Sequence, residues 1–199
     1  MTNVMPIHQK KYTAEAPPDE VLLRDIATGD MGAMAALYTR YQMDVFRFLA
    51  RLSGTDNQEL DDLVQSTFLQ VMRSAKNFEY RSTVKSWMFG IGVNVARHHV
   101  RSAVRRKLAM NSLRHESTNA VHTVEIHQEA ETRERMAALE TAMGVLSYRL
   151  KTAFVLCDIE GLSGAEAAKS LGVNEGTVWR RLHVARKKLA VELERRSLR

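Results

Sequence analysis

Apolar residues recur every three or four positions along most of this chain, and that spacing constrains its fold more than any other feature. The repeat begins after Asp19 and continues past Leu52, then resumes from Leu60 and again in the last third of the sequence. Such spacing places the apolar side chains on one face of an α-helix. No segment shows the convincing period-two alternation of a half-buried strand. The sequence therefore predicts an all-α fold.

The helical segments fall into two groups separated by a polar stretch. Residues 1–18 carry all three prolines and no apolar repeat, which indicates a flexible tail. A first helical domain is expected over 19–109, and a second over 129–199. Between them, residues 110–128 are polar with weak periodicity and read as a flexible linker. Two small helical domains joined by this linker are the simplest organisation.

Charge and cysteine content narrow the class of protein. The chain has 29 basic and 23 acidic residues, a formal net charge of +6, which favours a polyanionic partner. Cys157 is the single cysteine, so no disulfide can form within one chain. The sequence has neither a signal peptide nor an apolar run long enough to span a bilayer. We therefore expect a cytoplasmic protein without stable membrane insertion.

The most informative stretch is 162–182, in which two helices are separated by a short turn. Ser163 and Glu166 have the spacing of a capping box that opens the first helix. Gly172 can adopt the positive φ that ends this helix, and Asn174 can cap the next. This pattern predicts a helix-turn-helix, with a plain helical hairpin and a solvated basic face as the alternative.

The second helix of this motif carries aromatic and basic side chains away from its apolar face. Val178, Leu182, Ala185 and Leu189 share one side of the helix, which leaves the others free to project. A recognition helix in the major groove needs such hydrogen-bond donors near its N-terminal half. DNA binding is the favoured interpretation.

The segment 162–189 resembles region 4 of the sigma factors, which direct bacterial RNA polymerase to promoters. Two earlier segments resemble region 2 of the same family: 61–72 resembles the helix that docks on the polymerase, and 84–101 resembles the closing helix of region 2. The resemblance covers about 20–107 and 130–193. Because no middle domain is present, the chain resembles the compact extracytoplasmic-function (ECF) subgroup of the sigma-70 family.

The resemblance implies three sets of site residues. Contacts to the minus-35 promoter element are expected from the second helix of the motif, at Thr177, Trp179, Arg180, Arg181, His183, Arg186 and Lys187. Capture and melting of the minus-10 element are expected from Phe78, Tyr80, Arg81, Ser82, Asn94, Arg97 and Arg101. Docking on the core polymerase is expected from Asp61, Asp62, Gln65 and Phe68.

The residues themselves support the minus-10 set and leave the polymerase-docking set undecided. Opening a duplex requires aromatic faces and positive charge to hold unstacked bases, and Phe78 and Tyr80 precede a strongly basic helix. Trp87 and Phe89 lie in an apolar run and are expected in the core. The acids and Gln65 beside an apolar stripe could equally be an ordinary solvated surface.

The family also implies the partners. They are core RNA polymerase, through its β′ clamp helices and β flap, promoter DNA, and an anti-sigma factor that controls a stress response and could recruit the chain to a membrane. No cofactor or metal is expected. His98 and His99 are adjacent and point to different faces of a helix, while His115, His122 and His127 lie in the polar linker.

Other classes of protein fit the sequence less well. An enzyme would need a phosphate-binding glycine loop, metal-spaced ligands or a nucleophile motif, and none is present. A one-component helix-turn-helix regulator would bind closed duplex as a dimer and would need a sensing pocket or dimer helix in the first half. An adaptor without DNA binding is disfavoured by the basic residues of the last helix.

Overall fold

The computed structural model describes residues 17–54, 57–111 and 137–197, and every regular element within these ranges is helical. The first four helices are α1 (Asp19–Ala27), α2 (Met31–Ser53), α3 (Asn57–Ser74) and α4 (Val84–Asn111). The later ones are α5 (137–142), α6 (Tyr148–Phe154), α7 (Gly164–Leu171) and α8 (Glu175–Ser197). A π-helical turn, Val155–Ile159, extends α6. The prediction of an all-α fold is confirmed.

Local sequence explains where the first helices begin and end. The Asp30 side chain accepts hydrogen bonds from the backbone N–H groups of Gly32 (2.8 Å) and Ala33 (3.1 Å), so it caps α2 as predicted. Gly54 ends α2 with a φ of 62°, in the left-handed region that glycine adopts without strain. None of the helices in the described ranges combines the length and the hydropathy of a membrane-spanning segment.

The first four helices enclose an apolar core centred on α2 and α4. The rings of Phe48 and Phe89 stack with their centroids 4.3 Å apart, and both are fully buried. Gly92 lets the two helices approach, because a Cβ there would meet the Phe48 ring at 3.4 Å. Phe89 therefore lies in the core as expected, with Trp87 partly buried against it.

The helix-turn-helix forms as its sequence predicts. The Ser163 side chain and Glu166 make the reciprocal hydrogen bonds of a capping box at the start of α7. Gly172 ends α7 with a φ of 62°, and the Asn174 side chain accepts hydrogen bonds from the Thr177 backbone N–H (2.8 Å) and hydroxyl (2.7 Å). Buried Val178, Leu182, Ala185 and Leu189 give α8 its inner face.

The two halves of the described structure pack directly against each other. Helix α7 lies on α4, where the Ser170 hydroxyl donates to the Ser86 carbonyl at 2.9 Å. The backbones approach closely at Gly90, since a Cβ there would lie 3.0 Å from the Ser170 carbonyl oxygen. The Tyr148 hydroxyl donates to the Val93 carbonyl at 2.7 Å. We call this packing of the two halves the closed arrangement.

A buried ion pair adds to the contact between the halves. Arg51 of α2 and Glu160, just after the π-helical turn, lie 3.1 Å apart with 11% of each side chain exposed. Buried residues of both halves join into one apolar core. The sequence pattern predicts two helical halves but not this contact between them.

Several sequence predictions lie outside the described residues. They are the flexible tail 1–18, except for Pro17 and Pro18, most of the linker 110–128, and the linker histidines His115, His122 and His127.

Candidate nucleic-acid interface

Helix α8 presents a row of exposed side chains on the face opposite its core contacts. Arg180, His183 and Lys187 are exposed, as expected for residues that contact DNA. Thr177 is half-buried at the start of the helix, with its hydroxyl bonded to the Asn174 cap. These side chains lie near the N-terminal half of α8, where a recognition helix meets base edges.

Trp179 lies beside this row and is held in place by its own motif. Its indole Nε1–H donates to the Glu175 carboxylate at 3.1 Å, and half of its surface is exposed. The ring packs so closely on Gly164 that a Cβ there would lie 2.7 Å from two ring carbons. Gly164 is therefore required to seat Trp179 between the two helices of the motif.

Two other predicted minus-35 residues are placed differently. Arg186 makes a two-pronged ion pair with Asp158, at 2.6 and 2.9 Å, and this hydrogen bonding raises the pKa of Arg186. Arg181 is half-buried and turned toward α4. Burial lowers the pKa of Arg181, as do the nearby guanidinium groups of Arg149 and Arg97. In the closed arrangement, Arg186 is exposed but held by Asp158, whereas Arg181 does not join the exposed row.

The loop before α4 holds an aromatic cluster. Phe78 is only 7% exposed, and its ring centroid lies 4.9 Å from that of Tyr80 and 5.2 Å from that of Trp87. Tyr80 is 53% exposed and has a φ of 56°, the one positive φ of a non-glycine residue in the described chain. Phe78 thus supports the loop from below, and Tyr80 is the ring that faces outward.

The polar residues of the minus-10 set lie where the second half covers the first. Ser82 and Asn94 line a shallow cavity of about 200 Å³, and Lys169 and Ser170 of α7 line it from the other side. The Lys169 ammonium group donates to the Arg81 carbonyl oxygen at 2.7 Å. Helix α7 therefore reaches over this part of the predicted minus-10 surface.

Arg97 and Arg101 lie further along α4, on the side that faces the second half. They line a cleft of about 410 Å³ together with Arg149 of α6 and Arg181 of α8. Arg149 had no place among the predicted site residues, and neither had Lys169. Both are ordinary surface basic residues in the sequence, and only the packing of the two halves brings them to the predicted surface.

Helix α3 carries the residues predicted to dock on the polymerase. Asp61, Asp62 and Gln65 are exposed. Phe68 is buried, with 3% of its surface exposed, and its ring centroid lies 4.7 Å from that of Tyr38. Phe68 thus stabilises the helix from the core side and is not itself available for contact.

Within the part of the chain that the structure describes, no three His, Cys, Asp or Glu side chains are grouped as metal ligands. His99 instead lies 3.3 Å from the Glu59 carboxylate. Burial and the neighbouring Asp158 carboxylate raise the pKa of the Cys157 thiol, which disfavours its reactive thiolate form.

Comparison with protein families gives two matches in the order found along the chain. The family model described as Sigma-70 region 2 matches residues 37–106, and the one described as Sigma-70, region 4 matches residues 136–189. The first match covers most of α2, all of α3 and most of α4. The second covers the helix-turn-helix and the two helical segments before it.

Relatives of known class resemble nearly the whole chain. The ECF RNA polymerase sigma factor SigC of Mycobacterium tuberculosis is 31% identical over 92% of this chain and 96% of its own length. SigE of Mycolicibacterium smegmatis, also an ECF RNA polymerase sigma factor, is 34% identical over 86% of this chain and 66% of its own length. The chain belongs to the sigma-70 family, as an ECF-type sigma factor.

Solved structures share the architecture. CnrH, determined in complex with the cytosolic domain of CnrY, has 26% identity, a TM-score of 0.62, and coverage of 88% of this chain and 97% of its own. The sigma factor RpoE of Bartonella quintana, determined in complex with the anti-sigma factor NepR, has 24% identity and a TM-score of 0.65. That match covers 80% of this chain and 96% of the other. The two-part helical fold is thus shared with sigma factors.

Proposed function

We propose that this sigma factor directs promoter-specific initiation by reading the minus-35 element with α8 and by capturing and melting the minus-10 element with the first domain. The observation that carries the proposal is the pairing of two surfaces. One is the exposed row Arg180, His183 and Lys187 on a capped recognition helix, and the other is the outward-facing ring of Tyr80 next to a basic helix.

At the minus-35 element, the row on α8 supplies hydrogen-bond donors both for base edges and for backbone phosphates. The guanidinium group of Arg180 can pair with a guanine edge, and His183 can donate to a base or a phosphate. Lys187, two turns from Arg180, is suited to a backbone phosphate. Arg181 and Arg186 would join them once the two halves separate and Arg186 leaves Asp158 to contact DNA.

At the minus-10 element, the exposed ring of Tyr80 offers a stacking surface for an unpaired base. Each such stack contributes about 1–3 kcal/mol, enough to hold a base once it has left the duplex. Arg97 and Arg101 on α4 can neutralise the adjacent phosphates. Asn94 and Ser82 are then available for the edge of the captured base.

Docking on the polymerase is assigned to α3. Asp61, Asp62 and Gln65 form an exposed polar edge, which suits the β′ clamp helices. The second domain is assigned to the β flap, so that the two contacts reinforce each other through the linker. The sigma factor contributes binding and strand separation, with chemistry left to the polymerase.

Control by an anti-sigma factor in a cytoplasmic stress response is also proposed. It is supported by the described complex of the Bartonella quintana sigma factor with an anti-sigma factor, whose sigma fold is shared here. A membrane-bound inhibitor would place this chain at the membrane without inserting it.

Run-off transcription with core polymerase and promoter fragments from the host tests the proposal. We expect promoter-specific transcripts with the wild-type chain and a loss of about tenfold or more with Arg180→Ala, since a bidentate base contact contributes about 1–3 kcal/mol. Arg24→Gln, an exposed residue on α1, is the charge-matched control. Tight duplex binding without transcripts from any fragment would favour the helix-turn-helix regulator instead.

A further inference from the structure

A cleft lined by four arginines lies between the two halves of the molecule. Arg97 and Arg101 come from α4, Arg149 from α6 and Arg181 from α8. Its volume of about 410 Å³ lies in the range of small-molecule sites. The cleft therefore has the size of a nucleotide or a short phosphate chain.

Among the described residues, no carboxylate pairs with the four arginines of this cleft to balance their positive charge. Arg149 and Arg97 lie close enough to Arg181 to disfavour its charge, and burial adds to this effect. A bound anion would relieve the repulsion among the four groups.

The rest of the lining suits a ligand that is charged at one end and less polar at the other. Val100, Leu171 and Val173 form an apolar part of the wall beside Gly172. The Tyr148 hydroxyl already donates to the Val93 carbonyl at 2.7 Å, which leaves the arginines as the strong donors of the cleft. Guanidinium groups bind phosphate oxygens in two-pronged pairs, whereas a single chloride would meet only one donor of each group.

We propose that the arginine cleft binds a small polyanion with two or more linked phosphates and that this ligand holds the two halves in the closed arrangement. The ligand would contact α4 on one side and α6 and α8 on the other. It therefore acts as a bridge across the interface, and its binding energy adds to the stability of the closed arrangement.

The bridge would also oppose promoter binding, a consequence that rests on the proposed function. The promoter positions minus 35 and minus 10 are separated by 25 base pairs, roughly 85 Å of duplex at about 3.4 Å per base pair. In the closed arrangement, Arg97 and Arg181 line a single cleft. One duplex cannot meet both residues at the two elements until the halves separate, so a ligand that bridges them competes with the promoter.

Calorimetric titration of the full chain with inorganic tripolyphosphate tests the binding step. We expect one site per chain and about tenfold or more weaker binding in Arg149→Gln, since a hydrogen bond to a charged group is lost. Arg149 is exposed and is not assigned a DNA contact, so the variant keeps the proposed promoter surface. Arg24→Gln removes the same charge from α1, which contributes no residue to the cleft lining. No binding, or equal weakening in both variants, would overturn the proposal.

Promoter binding by the holoenzyme tests the bridge. Without nucleoside triphosphates, a gel shift of polymerase, this chain and a promoter fragment should weaken several-fold when tripolyphosphate is added, and Arg149→Gln should resist the effect. Chelation of magnesium by the probe would affect both chains equally. If tripolyphosphate binds in the titration but weakens the gel shift equally for the wild-type chain and Arg149→Gln, the bridge is refuted. A lack of any shift without the probe would instead count against the proposed function.

Discussion

Tyr80 combines an exposed ring with a left-handed backbone. For a residue with a Cβ this conformation costs about 1–2 kcal/mol, and such strain persists where the surrounding structure imposes it, often at functional sites. The Phe78 ring beneath it supplies that support. The strain is therefore consistent with a ring held ready to stack on a base.

Replacing Tyr80 separates its role in binding from its role in folding. In Tyr80→Gly the relief of strain and the entropy cost of glycine nearly offset, which leaves the lost ring contact with Phe78, about 0.5–1.5 kcal/mol, as the main change in unfolding free energy. Binding of the holoenzyme to a single-stranded minus-10 fragment should weaken by about 1–3 kcal/mol, measured by fluorescence anisotropy. Tyr80→Phe keeps the ring and should bind normally. Equal affinity of all three chains would remove Tyr80 from the minus-10 site.

Arg51 opposes the effect of burial on two nearby carboxyl groups, and this links it to the pH dependence of stability. Burial raises the pKa of Glu160 above its ordinary value, and the Arg51 guanidinium opposes that rise. Glu140 is raised by burial and opposed by Arg51 in the same way. Because the folded state holds these protons more tightly than the unfolded chain, the unfolding free energy falls as the pH rises from the ordinary carboxyl pKa through the raised one.

Arg51→Met should make this dependence steeper, since it removes the main opposing charge. We expect a loss of about 1–3 kcal/mol at pH 8 and a smaller loss near pH 5, measured by urea unfolding. Arg73→Met, an exposed arginine on α3, should unfold as wild type does at both values. A loss of equal size at the two values would mean that Glu160 and Glu140 are not the groups responsible.

Helix α7 has only eight residues, so its capping box is a large share of what stabilises it. Ser163→Ala removes the hydroxyl that accepts from the Glu166 backbone N–H and should cost about 1 kcal/mol of stability. Since α7 packs against α8, the loss should also speed hydrogen exchange in α8, most at its N-terminus and least in its core-packed part. Ser66→Ala, an exposed position inside α3, should cost nothing. Mass spectrometry of exchanged peptides from α7 and α8 measures the difference.

Local signals in the sequence predicted the helices and the helix-turn-helix, because caps and turns act over three or four residues. Asp30, Ser163, Gly172 and Asn174 all act as predicted. The burial of Phe68 could not be predicted, since an apolar residue beside exposed acids fits either a contact surface or a core. Arg149 entered the site only through contacts between the halves, which no local pattern encodes.

At the scale of the whole molecule, Gly90 determines how closely the halves approach. In Gly90→Ala the added Cβ would lie 3.0 Å from the Ser170 carbonyl oxygen and 3.1 Å from its Cα, both backbone atoms that cannot turn aside. Alanine favours the α4 helix itself by about 0.5–1 kcal/mol, so the first half should remain folded.

Small-angle X-ray scattering should therefore show a larger radius of gyration for Gly90→Ala than for wild type, with unchanged helix content by circular dichroism. Gly144→Ala is the matched control, because no atom lies within 4 Å of a Cβ at that position. Identical scattering from all three chains would show that contact at Gly90 does not hold the halves together.

The contact of α7 on α4 also bears on the apparent affinity of the polymerase for this chain. If the polymerase binds only chains whose halves have separated, its apparent dissociation constant is the intrinsic one divided by the share of such chains. A share of about one in a hundred would weaken binding about a hundredfold, or about 2.7 kcal/mol. The supply of active sigma factor would then be tuned by residues such as Gly90 and Ser170, which are not among those assigned to polymerase or promoter.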